Sequence, residues 1–236
     1  MAQDISPHCL IVGVGKGTGL ACVRKFVAEG YRVSMIARHR GRLNSFAEEI
    51  PNTTPYPADI VDLDSYRATL REIATQQGLP DVVVYNASLA SFATYETLDP
   101  ADLERNFRAN TCGLLATAQE LAPAMSKRRA GAIVVTGNTG SLRGKPSYIG
   151  FSPTKASQRI LAECLARELG PQGVHVAYVV IDAVIDMPFA RRRREEKPDD
   201  YYAKPDDLAS EIYNVAHQPK SAQSFYVELR PFGESW

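Results

Sequence analysis

The chain has 236 residues, is 44% hydrophobic, and balances 27 basic against 27 acidic side chains for a formal net charge of zero. That length and apolar content bury a substantial core, most simply as one α/β domain spanning residues 1–236. Zero net charge leaves no electrostatic footprint for nucleic acid or an anionic membrane, and no apolar run approaches the roughly 18–20 residues of a membrane span.

The start, Met1 to His8, lacks a basic segment followed by an apolar one. Cys9, Cys22, Cys112 and Cys164 are scattered without a C-x-x-C pair, and His8, His39, His175 and His217 lack metal-ligand spacing. A reducing, cytoplasmic location and no bound metal are therefore expected.

Cys9-Leu10-Ile11-Val12 is a short apolar run ending at Gly13 and reads as a buried strand. Gly13, Gly15, Gly17 and Gly19 follow, then an amphipathic helix from about Leu20 to Glu29. A strand feeding a glycine-rich turn into a helix is a phosphate cradle: the backbone approaches the ligand, and the helix start offers N–H groups and partial positive charge. The spacing G-x-G-x-x-G fails because Thr18 stands at its third glycine, and a Walker A loop fails because Gly17 follows Lys16. G-x-x-x-G-x-G at Gly13, Gly17 and Gly19 fits, with Gly15, Lys16 and Thr18 in the same turn.

Tyr31 to Ala37 alternates like a second strand and ends in Ala37-Arg38-His39-Arg40. A carboxylate there would bind the ribose 2′-hydroxyl of NAD; its absence, with Arg38 and Lys16 available for a 2′-phosphate, favours NADP(H) over NAD(H). A short third strand ends in Tyr56-Pro57-Ala58-Asp59-Ile60. Asp59 either accepts from an adenine amino group or caps the next helix, about Leu63 to Gln77, a role Asp62 already fills. Asp81 to Tyr85 is nearly all apolar, as in a central parallel strand, and leads into Asn86-Ala87-Ser88. Asp99-Pro100 starts a long helix running through Asn110 to about Arg128, with a kink expected at Pro123. Asn110 is a poor mid-helix residue and needs a special reason there, such as a π-bulge or a water ligand.

Ala132 to Thr136 is a fifth strand, opening into Gly137-Asn138-Thr139-Gly140-Ser141. A helix carrying Lys155 to about Leu169 follows, and Pro153 places its regular start near Gly150, with Tyr148 on the entering loop. Val174 to Ile181 is a sixth strand, Asp206 to His217 a helix and Ser224 to Leu229 a last strand. Between them, residues 182–204 read as an irregular stretch. Its Arg191-Arg192-Arg193-Arg194 run is followed by Glu195, Glu196, Asp199 and Asp200, as in a solvated mobile flap over a small-molecule site rather than a nucleic-acid site. Strands alternating with helices predict a doubly wound parallel sheet of about seven strands with helices on both faces.

Gly13-x-x-x-Gly17-x-Gly19, Asp59, Asn86-Ala87, Asn110-x-x-Gly113 and Lys155 fall in the order and rough spacing of the short-chain dehydrogenase/reductase family, which the chain resembles over essentially its whole length. The resemblance implies a Rossmann fold, a nicotinamide cofactor, a small carbonyl or alcohol substrate, and a homodimer or homotetramer packed through the helices around Asn110 and Lys155. It implies that Asn86-Ala87 lines the adenosine side, that Lys155 holds the nicotinamide ribose, and that Asn110 positions a water in the proton path. Ile60 and Ile185 join the expected cofactor contacts.

The chain also departs from the family pattern. Asn138 stands where the family has its catalytic Ser and Phe151 where it has its Tyr, while Asp182-Ala183 replaces a Pro-Gly turn and Met187 a Thr. The Asn138 amide still donates to a substrate carbonyl, whereas Phe151 has no proton to give in general acid catalysis. Tyr148 is the candidate replacement acid, with Ser141 and Ser152 behind it. The tail Glu228-Leu229-Arg230-Pro231-Phe232 resembles a subgroup of atypical members that also depart at the Tyr position. Two functions follow: an NADP(H)-dependent oxidoreductase with an altered proton relay, or a cofactor-binding protein without turnover, acting as a sensor or an inactive partner subunit.

Overall fold

A computed structural model describes residues 6–234; Met1 to Ile5, most of the stretch read for a leader, lie outside the described residues. In chain order the elements are β1 (His8–Val12), α1 (Thr18–Ala28), β2 (Arg32–Ala37), α2 (Arg40–Glu49), β3 (Thr53–Pro57), α3 (Leu63–Gln76), β4 (Val82–Tyr85), α4 (Pro100–Phe107) and α5 (Gly113–Arg128). Then come β5 (Ala132–Asn138), α6 (Ser152–Leu169), β6 (His175–Ile181), β7 (Val184–Ile185), α7 (Pro188–Arg192), β8 (Tyr202–Ala203), α8 (Pro205–Ala216) and β9 (Tyr226–Leu229). Seven strands form one parallel sheet in the order β3-β2-β1-β4-β5-β6-β9. The order reverses between β1 and β4, which opens a crevice at the carboxyl ends of the strands where ligands of this single-domain Rossmann-like fold bind.

Strand apolarity on both faces follows from helices covering both faces. Leu10 and Val12 of β1 face α3, α5 and α6, packing with Tyr66, Leu121 and Leu165. Cys9 and Ile11 face α1, α2 and α8, packing with Phe26, Leu43 and Ile212.

Several expectations are corrected. Helix α2 was not anticipated: Leu43 and Phe46 are its buried residues, too few to leave a helical period in the sequence. At Asn110 the irregularity that the sequence suggested is a π-helical turn over Arg108–Cys112, which divides the long helix, and α5 then continues through Pro123. Helix α6 begins at Ser152, close to the start expected near Gly150, with Pro153 in its first turn where a missing N–H costs nothing. Residues 182–204 carry β7, α7, a 3-10 turn over Asp199–Tyr201 and β8. Arg191 holds this segment together, ion-paired to Asp186 at 2.5 Å and Asp199 at 2.6 Å and set against the Tyr202 ring.

Candidate active site

The site forms where the ends of β1, β4 and β5 are tied together. Asn86 donates from Nδ2 to the Gly13 carbonyl at 2.8 Å, and the Thr136 hydroxyl donates to Asn86 Oδ1 at 3.0 Å. Gly13 has φ +93°, and a Cβ on it would lie 2.5 Å from the Ala87 backbone, so only glycine lets β1 and β4 end this close. A Cβ on Gly19 would lie 2.5 Å from the Gly13 carbonyl oxygen, whereas one on Gly15 would meet open space. The G-x-x-x-G-x-G spacing thus has a packing role at its ends and leaves an opening between them.

Two cavities meet at this turn. The first, about 340 Å³, is lined by Gly13, Gly15, Gly17, Thr18, Gly19 and Asn86, and on its far side by Asn138, Lys155, Ala183 and Ile185. The second, about 280 Å³, is lined by Gly13, Gly15, Arg38, Asp59, Ile60, Asn86 and Ala87, together with His39 and Arg42. Lys16 is exposed and lines neither cavity. A further cation on this cavity is Arg42 of α2, which the sequence reading did not single out because α2 itself leaves no clear period. Asp62 caps α3 by accepting from the Ser65 N–H at 3.2 Å, and Asp59 accepts from the Val61 N–H at 3.1 Å.

The residues present fit a dinucleotide. The Thr18 hydroxyl at the start of α1 is buried without a hydrogen-bond partner, beside a glycine turn that opens into the first cavity. Such an orphan at a helix N-terminus matches a phosphate oxygen. Lys155 sits across the same cavity, 2% exposed. Its ammonium donates to the Thr136 carbonyl at 3.0 Å and to the Gln158 side-chain oxygen. Burial pulls its pKa down from 10.5 to about 7.

Asn110 is fully committed to protein. Its Oδ1 accepts from the Leu89 N–H at 2.9 Å, and its Nδ2 donates to the Leu89 carbonyl and the Thr154 hydroxyl, each at 2.8 Å. Its backbone carbonyl accepts from Gln158 Nε2 at 2.7 Å. The water expected on Asn110 therefore meets groups already engaged by Gln158, Leu89 and Thr154. Gln158 itself went unnoticed in the sequence, because a glutamine in a polar helix carries no pattern.

Asn138 Oδ1 accepts from the Gly140 N–H at 2.8 Å, which turns its NH₂ away from that bond. Ser141 donates to the Asn138 carbonyl at 2.6 Å, and the Ser152 hydroxyl is buried without a partner. Phe151 is 7% exposed, its ring 5.6 Å from that of Phe92, and Phe92 lies 4.9 Å from the Tyr148 ring. Tyr148 lines a third cavity of about 800 Å³, with Ala93, Gly140, Ser141, Leu142, Ile149 and Ser152 among its walls. That cavity shares no lining residue with the one holding Lys155. Tyr148 and Lys155, both expected in the active site, thus face different spaces. Met187 lies over the glycine turn, its sulfur 3.1 Å from where a Gly17 Cβ would be. Among the described residues no cluster of three or more His, Cys, Asp or Glu could hold a metal ion.

Similarity to known proteins agrees with this geometry. The chain is 29% identical over 215 residues to carbonyl reductase [NADPH] 2 of Sus scrofa, covering 87% of this chain and 86% of the relative. It is 30% identical to serine 3-dehydrogenase of Agrobacterium fabrum, covering 98% and 96%. A metagenomic short-chain oxidoreductase solved in complex with NADP superposes with a TM-score of 0.83 at 22% identity, covering 95% of this chain and 97% of that one. The family model for short chain dehydrogenase matches residues 7–198, and the chain belongs to that family.

Proposed function

We propose that residues 1–236 form one NADP(H)-dependent oxidoreductase domain acting on a small carbonyl or alcohol, with a proton relay altered at position 151. The observation that carries this reading is Lys155, a buried amine facing the same cavity as the glycine turn and the Asn138 amide. A nicotinamide cofactor bound there supplies the hydride. The chain's own residues hold it: the α1 N-terminus and Thr18 take phosphate, Asn86, Ala87, Asp59 and Ile60 line the adenosine side, and Lys155 and Ile185 hold the nicotinamide end.

Arg38 and Arg42 share the second cavity, and neither guanidinium has a protein partner among the described residues. Two such cations beside the adenosine site favour a 2′-phosphate, hence NADP(H) over NAD(H). Asn138 stands where the family places its Ser and offers its free NH₂ to a substrate oxygen. Phe151, where the family places its Tyr, offers no proton. The about 800 Å³ cavity beside Tyr148, walled largely by apolar groups, suits the substrate's hydrocarbon part. Exposed Phe107, Leu115 and Ile160 give α4, α5 and α6 an uncovered apolar face, as a homodimer or homotetramer packed through those helices requires. Four unpaired thiols suit a reducing, cytoplasmic setting.

A second reading, a cofactor-binding protein without turnover, is favoured by one feature: Phe151 is sealed under Phe92 and Tyr148. Titration with NADPH and NADH, followed by NADPH oxidation against a carbonyl panel, decides between them. Tight NADPH binding with no oxidation on any carbonyl selects the second.

A further inference from the structure

The buried group that this function leaves unused is Gln158. It lies on α6 three residues after Lys155, its side chain fully buried. Its oxygen accepts from the Lys155 ammonium, and its NH₂ donates at 2.7 Å to the Asn110 carbonyl. Asn110 sits in the π-helical turn Arg108–Cys112, where the regular backbone ladder is displaced and a carbonyl is freed for a side chain. The bridge thus fixes the amide's direction. With Nε2 committed to a carbonyl, Oε1 must face the lysine. Lys155 then has two N–H directions set, toward Thr136 and Gln158, and a third without a protein partner beside the cavity it shares with Asn138.

We propose that Lys155, aimed by Gln158, is the proton donor of this site, and that Gln158 is the positioning residue that holds it there. The inference rests on the oxidoreductase reading above. For carbonyl reduction the step balances with a reduced dihydronicotinamide as hydride donor. The carbonyl carbon gains the hydride, the π pair closes onto oxygen, and an O–H bond forms as a Lys155 N–H bond breaks. The neutral amine left behind is reprotonated from solvent. Alcohol oxidation runs the same step in reverse, with neutral Lys155 as base.

The surroundings suit an amine that gains and loses a proton near neutrality. Burial is what pulls Lys155 down to about 7, with no charged partner to hold its ammonium form. The groups bonded to Lys155 are the Thr136 carbonyl from β5 and the Gln158 oxygen, which accept from its ammonium, and the Tyr178 hydroxyl from β6, which donates to its backbone carbonyl at 3.4 Å. Tyr178 is the one of these that titrates. Its hydroxyl reaches Gln158 Oε1 at 3.5 Å, and burial pushes its pKa up, so it stays neutral where Lys155 titrates. A neutral amide as acceptor orients the amine without locking its proton in place, as a carboxylate would.

The test pairs two readouts on the full-length protein. Nuclear magnetic resonance of ¹³Cε-labelled lysine, with the Lys155 signal assigned by its loss in Lys155→Ala, gives its midpoint in the free protein. NADPH oxidation with an accepted carbonyl gives the pH at which kcat falls as Lys155 loses its proton. Both midpoints are expected near neutrality. Gln158→Glu, which sets a carboxylate against the amine, should move both up by about 1–3 pH units. Gln158→Met, which removes the acceptor, should move both down, so one foldable variant suffices. A resonance midpoint at the ordinary lysine value overturns the inference even if turnover is found. So does a kinetic limb that stays put while the resonance midpoint moves. Turnover absent on every carbonyl, with Lys155 titrating near neutrality, overturns the oxidoreductase reading, and the donor role falls with it.

Discussion

Replacing Lys155 with Met should remove a defined part of the protein's pH-dependent stability. Folding takes the Lys155 pKa from 10.5 to about 7 through burial. Between those values the unfolded chain binds a proton at this residue that the folded chain does not, so stability rises with pH. Below about 7 both states are protonated and the full penalty persists; above about 10.5 both are neutral and it vanishes. At about 1.4 kcal/mol per unit, the shift corresponds to roughly 5 kcal/mol across that window. Met leaves the Thr136 carbonyl and the Gln158 oxygen without their donor, an offset of about 1–3 kcal/mol each. That offset does not depend on pH, so the slope is diagnostic rather than the height. Denaturant unfolding of both proteins in half-unit steps from pH 6 to 10.5, plotted as their difference, cancels the other groups that titrate there. The Met variant's relative stability should decline steadily as pH rises. A flat difference refutes the reasoning, because it means that Lys155 keeps an ordinary pKa in the folded protein.

The unmodified protein should bind NADPH more tightly than NADH, and Arg38→Glu or Arg42→Glu should each erase much of the preference, roughly 1.5–3 kcal/mol per charge-assisted contact; calorimetric titration reads this, and equal affinities in the unmodified protein count against it. Phe151→Tyr, by adding a second acid to a site where Lys155 already donates, should raise carbonyl reductase activity by less than the about 10²–10⁴-fold that a sole general acid contributes, and Tyr148→Phe, at a residue that faces another cavity, should leave NADPH oxidation intact; loss of activity in Tyr148→Phe counts against Lys155 as the donor. His8 donates from Nδ1 to the Gly78 carbonyl and accepts from Ser34, and burial lowers its pKa to about 4. It therefore costs stability as pH falls from 6.5 through about 4, roughly 3 kcal/mol in all. His8→Gln should flatten the acid limb of an unfolding curve, and an unchanged limb excludes His8 as its cause.

What could be read in the sequence was what backbone and burial impose by pattern. The apolar runs of β1, β4 and β6 signalled the parallel sheet, and the glycines marked the turn after β1, though the close backbone packing that Gly13 and Gly19 allow is seen only in the fold. Asn110 was flagged by its poor helix propensity, and the π-helical turn is the reason. What escaped depends on distance across the fold. Arg42 lies on a helix with too few buried residues to announce itself. Gln158 acquires meaning only from Lys155 above it and the Asn110 carbonyl opposite. Tyr148 lies on the loop before α6, as Pro153 predicts, but which cavity that loop faces is set by its packing across the fold.

The energetics of Lys155 also bear on whether the site is a relic. A buried lysine without a carboxylate partner is a poor structural choice, since an apolar residue of similar length would avoid the desolvation cost. Thr18 repeats the pattern at the other side of the cavity, a buried hydroxyl with nothing to bond. Both costs fall on groups that line one space, opened by glycines. A ligand that brings phosphate oxygens to Thr18 and hydroxyls to Lys155 offsets both at once, and its binding then adds to folding stability by mass action. A pure scaffold has no use for that arrangement. The distinguishing measurement is thermal unfolding with saturating NADPH. A cofactor-binding site predicts a rise in Tm that Lys155→Met reduces, and a Tm indifferent to NADPH in the unmodified protein leaves the buried lysine without a purpose that this geometry explains.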